Sequence, residues 1–263
     1  MSGNIDINKA LKVASKAALE AGQIQKDYRF KSFTVEHKGE TDLVTEVDIA
    51  CEKAIIDIIK VAFPDHGILA EEEDFKKGES RYTWVIDPLD GTTNYAHGFP
   101  VYCASVGLEM DGQSLVGAVC DPTRDELFTA AKGHGAYLND VPIKVSSTEK
   151  LIDGLLATGF PYSIKTNPQN NLKQFGNFAM RAQALRRPGA AALDLCYVAC
   201  GRLDGFWEFH LKPWDIAAGT LMVTEAGGRM THTDGAKLDI YRSDIVASNG
   251  PLHEAMLEIL KAG

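Results

Sequence analysis

Apolar positions recur at helical spacing through residues 7–28, where Ile7, Ala10, Leu11, Ala14, Ala17, Ala18, Ala21 and Ile24 mark one face. Asp6 stands before them as a cap, because a short acidic side chain accepts from the free amides of a first helical turn. A second stripe, Val47, Ala50, Ala54, Ile55, Ile58, Ile59 and Ala62, predicts a helix over 46–62 that stops at Phe63-Pro64-Asp65-His66-Gly67. Two short strand-like segments follow, 68–70 and 82–86, and each runs directly into carboxylates. From 102 to 145 the pattern becomes alternating runs separated by Asp111-Gly112, Asp121-Pro122 and Asn139-Asp140, which predicts an antiparallel meander. Beyond it the pattern predicts a strand at 155–158, helices at 170–181 and 190–200, and a strand at 205–208. A helix at 213–226, a strand at 244–248 and a closing helix at 251–261, with Pro251 in its first turn, complete the chain. Helix and sheet layers alternate in one domain over 1–263, with a soft division near residue 150 and no internal repeat, linker or low-complexity tract.

Composition narrows the function classes. The 263 residues are 45% hydrophobic and 24% charged, so the chain can bury a large core without staples. Lysine plus arginine number 27 against 36 acids, a formal net charge of −9, which disfavours direct nucleic-acid binding or docking on an anionic membrane. The five cysteines are odd in number, form no CxxC and sit among apolar neighbours, as expected of reduced thiols that pack as small hydrophobes. The start Met1-Ser2-Gly3-Asn4 carries no basic or apolar leader, and no apolar run approaches a membrane span. A cytoplasmic protein is expected.

The chemistry concentrates in Trp84-Val85-Ile86-Asp87-Pro88-Leu89-Asp90-Gly91-Thr92-Thr93-Asn94-Tyr95. Pro88 fixes φ after Asp87, and Gly91 permits a close backbone approach before Thr92 and Thr93 open a short helix. Two carboxylates beside free helical amides could hold a cation on the acids and a phosphate on the amides. Asp-Pro and Asp-Gly are also ordinary turn dipeptides, so the segment alone does not decide. Glu71-Glu72-Glu73 likewise follows a short strand, and Asp215 lies just inside a predicted helix, flanked by Trp214 and alanines. If Glu71, Asp87, Asp90 and Asp215 converge, each adjacent pair at about 4 Å repels by about 4 kcal/mol at an effective dielectric of about 20. Such a cluster requires a cation. Hard oxygen ligands, with no HExxH and no paired histidines, point to Mg²⁺ rather than zinc.

Residues 84–95 with Ala96-His97-Gly98-Phe99-Pro100, and Trp214-Asp215-Ile216-Ala217-Ala218-Gly219 through Glu225-Ala226-Gly227-Gly228, resemble the two signature motifs of the inositol monophosphatase family. The resemblance spans nearly the whole chain and includes Asp42-Leu43-Val44-Thr45-Glu46-Val47-Asp48. It implies an α/β fold, a layered αβαβα sandwich, usually a homodimer, and lithium-sensitive, Mg²⁺-dependent hydrolysis of a phosphate monoester. Carried onto this sequence, it places Glu71, Asp87 and the Leu89 carbonyl on one Mg²⁺ and Asp87, Asp90 and Asp215 on a second, with Glu71 also serving a weaker third ion. Thr92, hydrogen-bonded to Asp48, would orient the attacking water, and Glu72 would steady that arrangement. The Gly91 and Thr92 amides would grip the phosphate. Asp90 and Asp215 would face the substrate as well as the metal. Gly189, Ala190, Ala191 and Glu208 would line a polyol, Glu208 accepting from its hydroxyls. The implied substrate is a small phosphorylated polyol, myo-inositol 1-phosphate first.

Ala70 departs from the family pattern, where many relatives have glycine before the Glu-Glu pair; it alters local backbone but removes no ligand. Lys38-Gly39-Glu40-Thr41 is expected to form a mobile loop from which Lys38 would approach the water or phosphate. A sugar bisphosphatase is a second reading, with Arg186, Arg187, Lys165 or Lys173 receiving another phosphate, although Glu208 would repel one there. Arg186-Arg187 could equally form a salt bridge in a loop or between subunits. A third reading, from another class, is a regulatory protein that contacts the transcription machinery.

Overall fold

The computed structural model describes residues 5–31, 33–37, 39, 43–73 and 75–262. Lys38, Glu40, Thr41 and Asp42, singled out above, lie outside the described residues. Helix α1 (Ile7–Tyr28) leads through the antiparallel pair β1 (Val35–His37) and β2 (Leu43–Thr45) into helix α2 (Glu46–Ala62). Strands β3 (Gly67–Ala70) and β4 (Tyr82–Asp90) are followed by the short helix α3 (Thr92–Ala96). The meander then runs through β5 (Cys103–Met110), β6 (Gln113–Asp121), β7 (Glu126–Ala131), β8 (Ala136–Leu138) and β9 (Val141–Pro142). β3 to β9 form a seven-stranded sheet in sequence order, parallel at β3/β4 and antiparallel elsewhere.

The second half supplies β10 (Leu155–Thr158), α4 (Leu172–Ala179), β11 (Ala184–Arg186), α5 (Ala191–Ala199), β12 (Gly205–Glu208), α6 (Pro213–Glu225), β13 (Arg229–Thr231), β14 (Ile245–Ser248) and α7 (His253–Ala262). Its five strands order as β11-β10-β12-β14-β13. Apolar clusters join α1 and α2 to one face of the first sheet, α5 and α6 to both sheets, and α4 and α7 to the outer face of the second. The architecture is the expected layered αβαβα sandwich.

Small residues set how closely these layers approach. The alanines of α1 at 10, 14, 17, 18 and 21 are fully buried against α2 and the sheet. On the opposite face, Gly107 and Gly117 admit α6: a Cβ at Gly117 would lie 3.0 Å from the Ala218 Cα. Gly219 performs the same service toward α5, where a Cβ would stand 2.5 Å from Leu195. Helix α6 is thus pressed between a sheet and a helix, and its first turn is delivered beside the end of β4.

Three details differ from the sequence pattern. Strands β1, β2, β11 and β13 were not expected, because three residues are too few to display alternation. The helix predicted over 170–181 is shorter, since Asn171 adopts a left-handed conformation at φ 68° and starts the turn anew. Pro251 precedes α7 rather than opening it. Gly250 turns the chain at φ 98°, Asn249 Oδ1 accepts from the Leu252 amide at 3.2 Å, and the helix begins only after that cap. Among the described residues no helix is long and apolar enough to cross a membrane.

His253, the first residue of α7, is fully buried, with Nδ1 2.9 Å from Ser248 Oγ and Nε2 2.9 Å from Thr231 Oγ1. Burial, and then the Arg229 charge, lowers its pKa to about 4. The unfolded imidazole, near 6.5, therefore binds a proton more readily than the folded one, so stability is lost as pH falls from about 6.5 toward 4. The loss amounts to no more than about 3–4 kcal/mol. Paired thermal melts of the parent and His253→Gln across this window should differ in slope, the variant losing this part of the acid sensitivity; parallel slopes would contradict it.

Candidate active site

The site is built where β4 ends. Trp84, Val85 and Ile86 are buried, and the apolar strand carries Asp87 inward with them. Pairing with β5 then shifts register between Asp87 and Asp90, at the point where Pro88 has no N–H for the ladder. The Leu89 amide folds back onto Asp87 Oδ1 at 3.0 Å, and Gln25 from α1 supports the bulge by donating to the Pro88 carbonyl at 2.9 Å. Gly91 turns the chain into α3 at φ 94°; a Cβ there would lie 2.8 Å from the Val101 carbonyl oxygen.

Asp90 closes β4 and Glu71 follows β3, while helix starts supply two further acids. Asp48 sits in the first turn of α2, where its Oδ2 accepts from the Thr45 amide at 2.9 Å and the Thr45 hydroxyl at 2.5 Å. Its other oxygen is 3.1 Å from Thr92 Oγ1, which also lies 3.0 Å from the Leu89 carbonyl. Asp215, in the first turn of α6, accepts from the Lys212 amide at 2.6 Å. Asp90 Oδ2 accepts from the Ala192 amide at 2.7 Å. Ala190, the cap residue of α5, has no side chain able to do so, and Asp90 caps that helix from across the fold.

The electrostatics show these acids gathering. Asp87 is pushed well above the carboxylate range, first by burial and then by the charges of Glu71, Asp90, Asp215 and Asp48. Burial raises Asp90 to about 6 against the opposing Ala192 and Ala191 amides. Asp215 reaches about 7 by burial, with the Lys212 amide opposing and the Asp90 charge adding. Asp48 reaches about 6 by burial, opposed by Thr45 and reinforced by Glu72. Acids crowded and buried together take up either protons or cations near neutral pH. Their donors are all hard oxygens, and the nearest sulfur, Cys103 Sγ at 3.7 Å from Asp90, is a buried thiol with a raised pKa. The donor set fits Mg²⁺. Among the described residues no three of these side chains close into a ready ligand shell, so they share a field rather than a finished coordination sphere.

A second group faces these acids from the other sheet. Glu208, at the end of β12, is raised to about 8 by burial and the Asp215 charge, with Arg187 opposing and Asp90 adding. Gly189 turns at φ 87°, and a Cβ there would meet the Arg187 guanidinium at 2.9 Å. Ala190 and Ala191 are buried in the core, so backbone is what they can offer a ligand, and the Ala191 amide already acts on Asp90. The Glu72 amide donates to Glu52 Oε2 at 2.9 Å, tying the acidic segment to α2.

Sequence reasoning missed Asn94, whose Nδ2 donates at 2.8 Å to both the Val101 and Pro188 carbonyls and so joins α3 to the 188–189 turn. It also missed Asp194, buried in the first turn of α5, whose Oδ1 has no hydrogen-bond partner among the described residues, and which is raised by burial and then by Glu208. Asn94 lies inside the motif; for Asp194, an acid in an otherwise apolar helical run was the available signal.

The inositol monophosphatase family model matches residues 6–262. The chain is 44% identical over 259 residues to the inositol-1-monophosphatase of Synechocystis, covering 98% of this chain and 90% of that one. It is 41% identical to the Nus factor SuhB of Pseudomonas aeruginosa, with 95% of each chain covered. The solved inositol monophosphatase from Anabaena aligns with a TM-score of 0.90 at 42% identity, covering 98% of this chain and 97% of that one. Two motifs, the layered fold and these likenesses agree: the chain belongs to the inositol monophosphatase family.

Proposed function

We propose that this protein is a Mg²⁺-dependent phosphatase that hydrolyses a small polyol phosphate monoester, myo-inositol 1-phosphate, to the polyol and phosphate. The observation that carries the reading is the field of Glu71, Asp90, Asp215 and Asp48 converging on buried Asp87, beside the Thr92–Asp48 hydrogen bond. Glu71, Asp87, the Leu89 carbonyl, Asp90 and Asp215 would hold two to three Mg²⁺ ions. When bound, these supply charge neutralisation and acidify the attacking water.

The chain's own residues orient and receive. Thr92 Oγ1 takes a hydrogen bond from the water while its own proton points to Asp48 Oδ1, so a proton leaving the water has a path to a carboxylate. Thr45 and the first turn of α2 fix Asp48 for that role, and Glu72 adds negative charge beside it. The Gly91 and Thr92 amides grip the phosphate, and Asp90 and Asp215 lie against it. Gly189, Ala190 and Ala191 border the polyol through backbone, and Glu208 accepts from its hydroxyls. In-line attack forms the water oxygen–phosphorus bond and breaks the phosphorus–polyol oxygen bond; the water gives up one proton toward Asp48, and the leaving polyol oxygen takes one up from solvent water.

Arg187 already faces the Glu208 and Asp194 carboxylates, which argues against its receiving a second phosphate as a sugar bisphosphatase requires. Thr92→Val tests the reading: kcat should fall by about a hundredfold or more with KM changed little. A variant turning over within threefold of the parent would remove Thr92 from the mechanism. The likeness to a Nus factor supports a second role in contacting the transcription machinery. A pull-down with an inactive Asp90→Asn protein tests it, since contact with a partner should survive loss of turnover.

A further inference from the structure

β10 and β12 run parallel, and Thr158 pairs with Trp207, so Gly159, the residue after β10, lies beside Glu208, the last residue of β12. A Cβ on Gly159 would lie 2.2 Å from Glu208 Oε1 and 2.3 Å from Oε2. The carboxylate therefore lies across the space that any other residue at 159 would fill. No hydrogen bond among the described residues uses the Glu208 carboxylate.

One side chain holds both flanks of that seat. Asn171, buried and left-handed at φ 68°, donates from Nδ2 to the Gly159 carbonyl and to Thr158 Oγ1, each at 2.7 Å. Its Oδ1 accepts from the Trp207 indole at 2.7 Å, and Thr158 Oγ1 donates to the Trp207 carbonyl at 2.6 Å. Trp207 stacks on Phe178 with ring centroids 4.0 Å apart, so the strand leading to Glu208 is fixed from behind. A buried polar network with every amide atom used specifies one arrangement.

We propose that Gly159 and Asn171 are positioning residues that seat the Glu208 carboxylate toward the hydroxyls of the leaving group and thereby set the preference for polyol phosphates. The inference rests on the reading of Glu208 as the hydroxyl acceptor. Neither residue touches substrate; each acts through Glu208. Gly159 is suited to a clean test because it is absent from the positive-φ positions, and the atoms its Cβ would meet belong to the far end of a flexible side chain. Gly159→Ala should displace the carboxylate without straining the backbone.

The experiment compares steady-state kinetics on myo-inositol 1-phosphate and on p-nitrophenyl phosphate, whose leaving group has no polyol. For inositol phosphate, Gly159→Ala should raise KM about tenfold or more and leave kcat within about twofold, the signature of lost ground-state binding. The ratio of kcat/KM between the two substrates should fall accordingly. Gly159→Ala combined with Glu208→Ala should do no more than Glu208→Ala alone, and Gly159→Ala with Glu208→Asp should recover part of the loss. If Gly159→Ala melts below the assay temperature, Asn171→Ser should give the same split. A KM rise in Glu208→Ala with none in Gly159→Ala overturns the seat. No KM rise in Glu208→Ala overturns the reading of Glu208 itself, and the seat falls with it.

Discussion

Asp90→Asn should lower phosphate release from inositol 1-phosphate by about a thousandfold or more and leave the protein folded. The asparagine oxygen can still accept from the Ala192 amide, so the cap on α5 survives. What disappears is a negative charge in a crowd of buried acids that raise one another. In EDTA the thermal midpoint should therefore rise, by about 2–4 °C for each kcal/mol of repulsion removed. Phosphate assays and thermal scans on the same preparation check both halves. Activity above about a tenth of the parent, or a midpoint well below it, would contradict the placement of Asp90 among the cation's ligands.

Gly91→Ala should damage fold and function together. The left-handed φ of 94° costs a residue with a Cβ about 1–2 kcal/mol, and that Cβ would stand 2.8 Å from a carbonyl oxygen of the fixed backbone at Val101. Relief requires moving the bulge that aims Asp87 and Asp90, so a loss of about 2 kcal/mol or more in stability should accompany at least a hundredfold loss of turnover. Denaturant unfolding beside the phosphate assay reads both. Retained activity with retained stability would mean that the bend does not position the site.

Periodic features were legible in the sequence. α1 and α2 end where the apolar stripes end, and the meander turns at Asp111-Gly112 and Asn139-Asp140, each pair in the left-handed region. The acids after two short strands were visible as a pattern, but each segment alone also reads as an ordinary turn, and only their joint occurrence with Asp215 pointed to one site. What stayed hidden depends on chain segments meeting across the fold. The Asp90 contact to Ala192 joins the end of β4 to the first turn of α5, about a hundred residues on in the chain, and neither residue's neighbours announce it. Asn171 looked like part of a helix; its left-handed turn is set by partners at Thr158, Gly159 and Trp207. Gly159 reads as a loop glycine until Glu208 is seen lying against it.

The most direct measurement is phosphate release from myo-inositol 1-phosphate and fructose 1,6-bisphosphate, each in Mg²⁺ and in EDTA. The proposed function predicts turnover that requires Mg²⁺, favours inositol phosphate and is inhibited by lithium. Equal turnover in EDTA would contradict the assignment of Glu71, Asp87, Asp90 and Asp215 to a cation, and a preference for the bisphosphate would contradict the role given to Glu208.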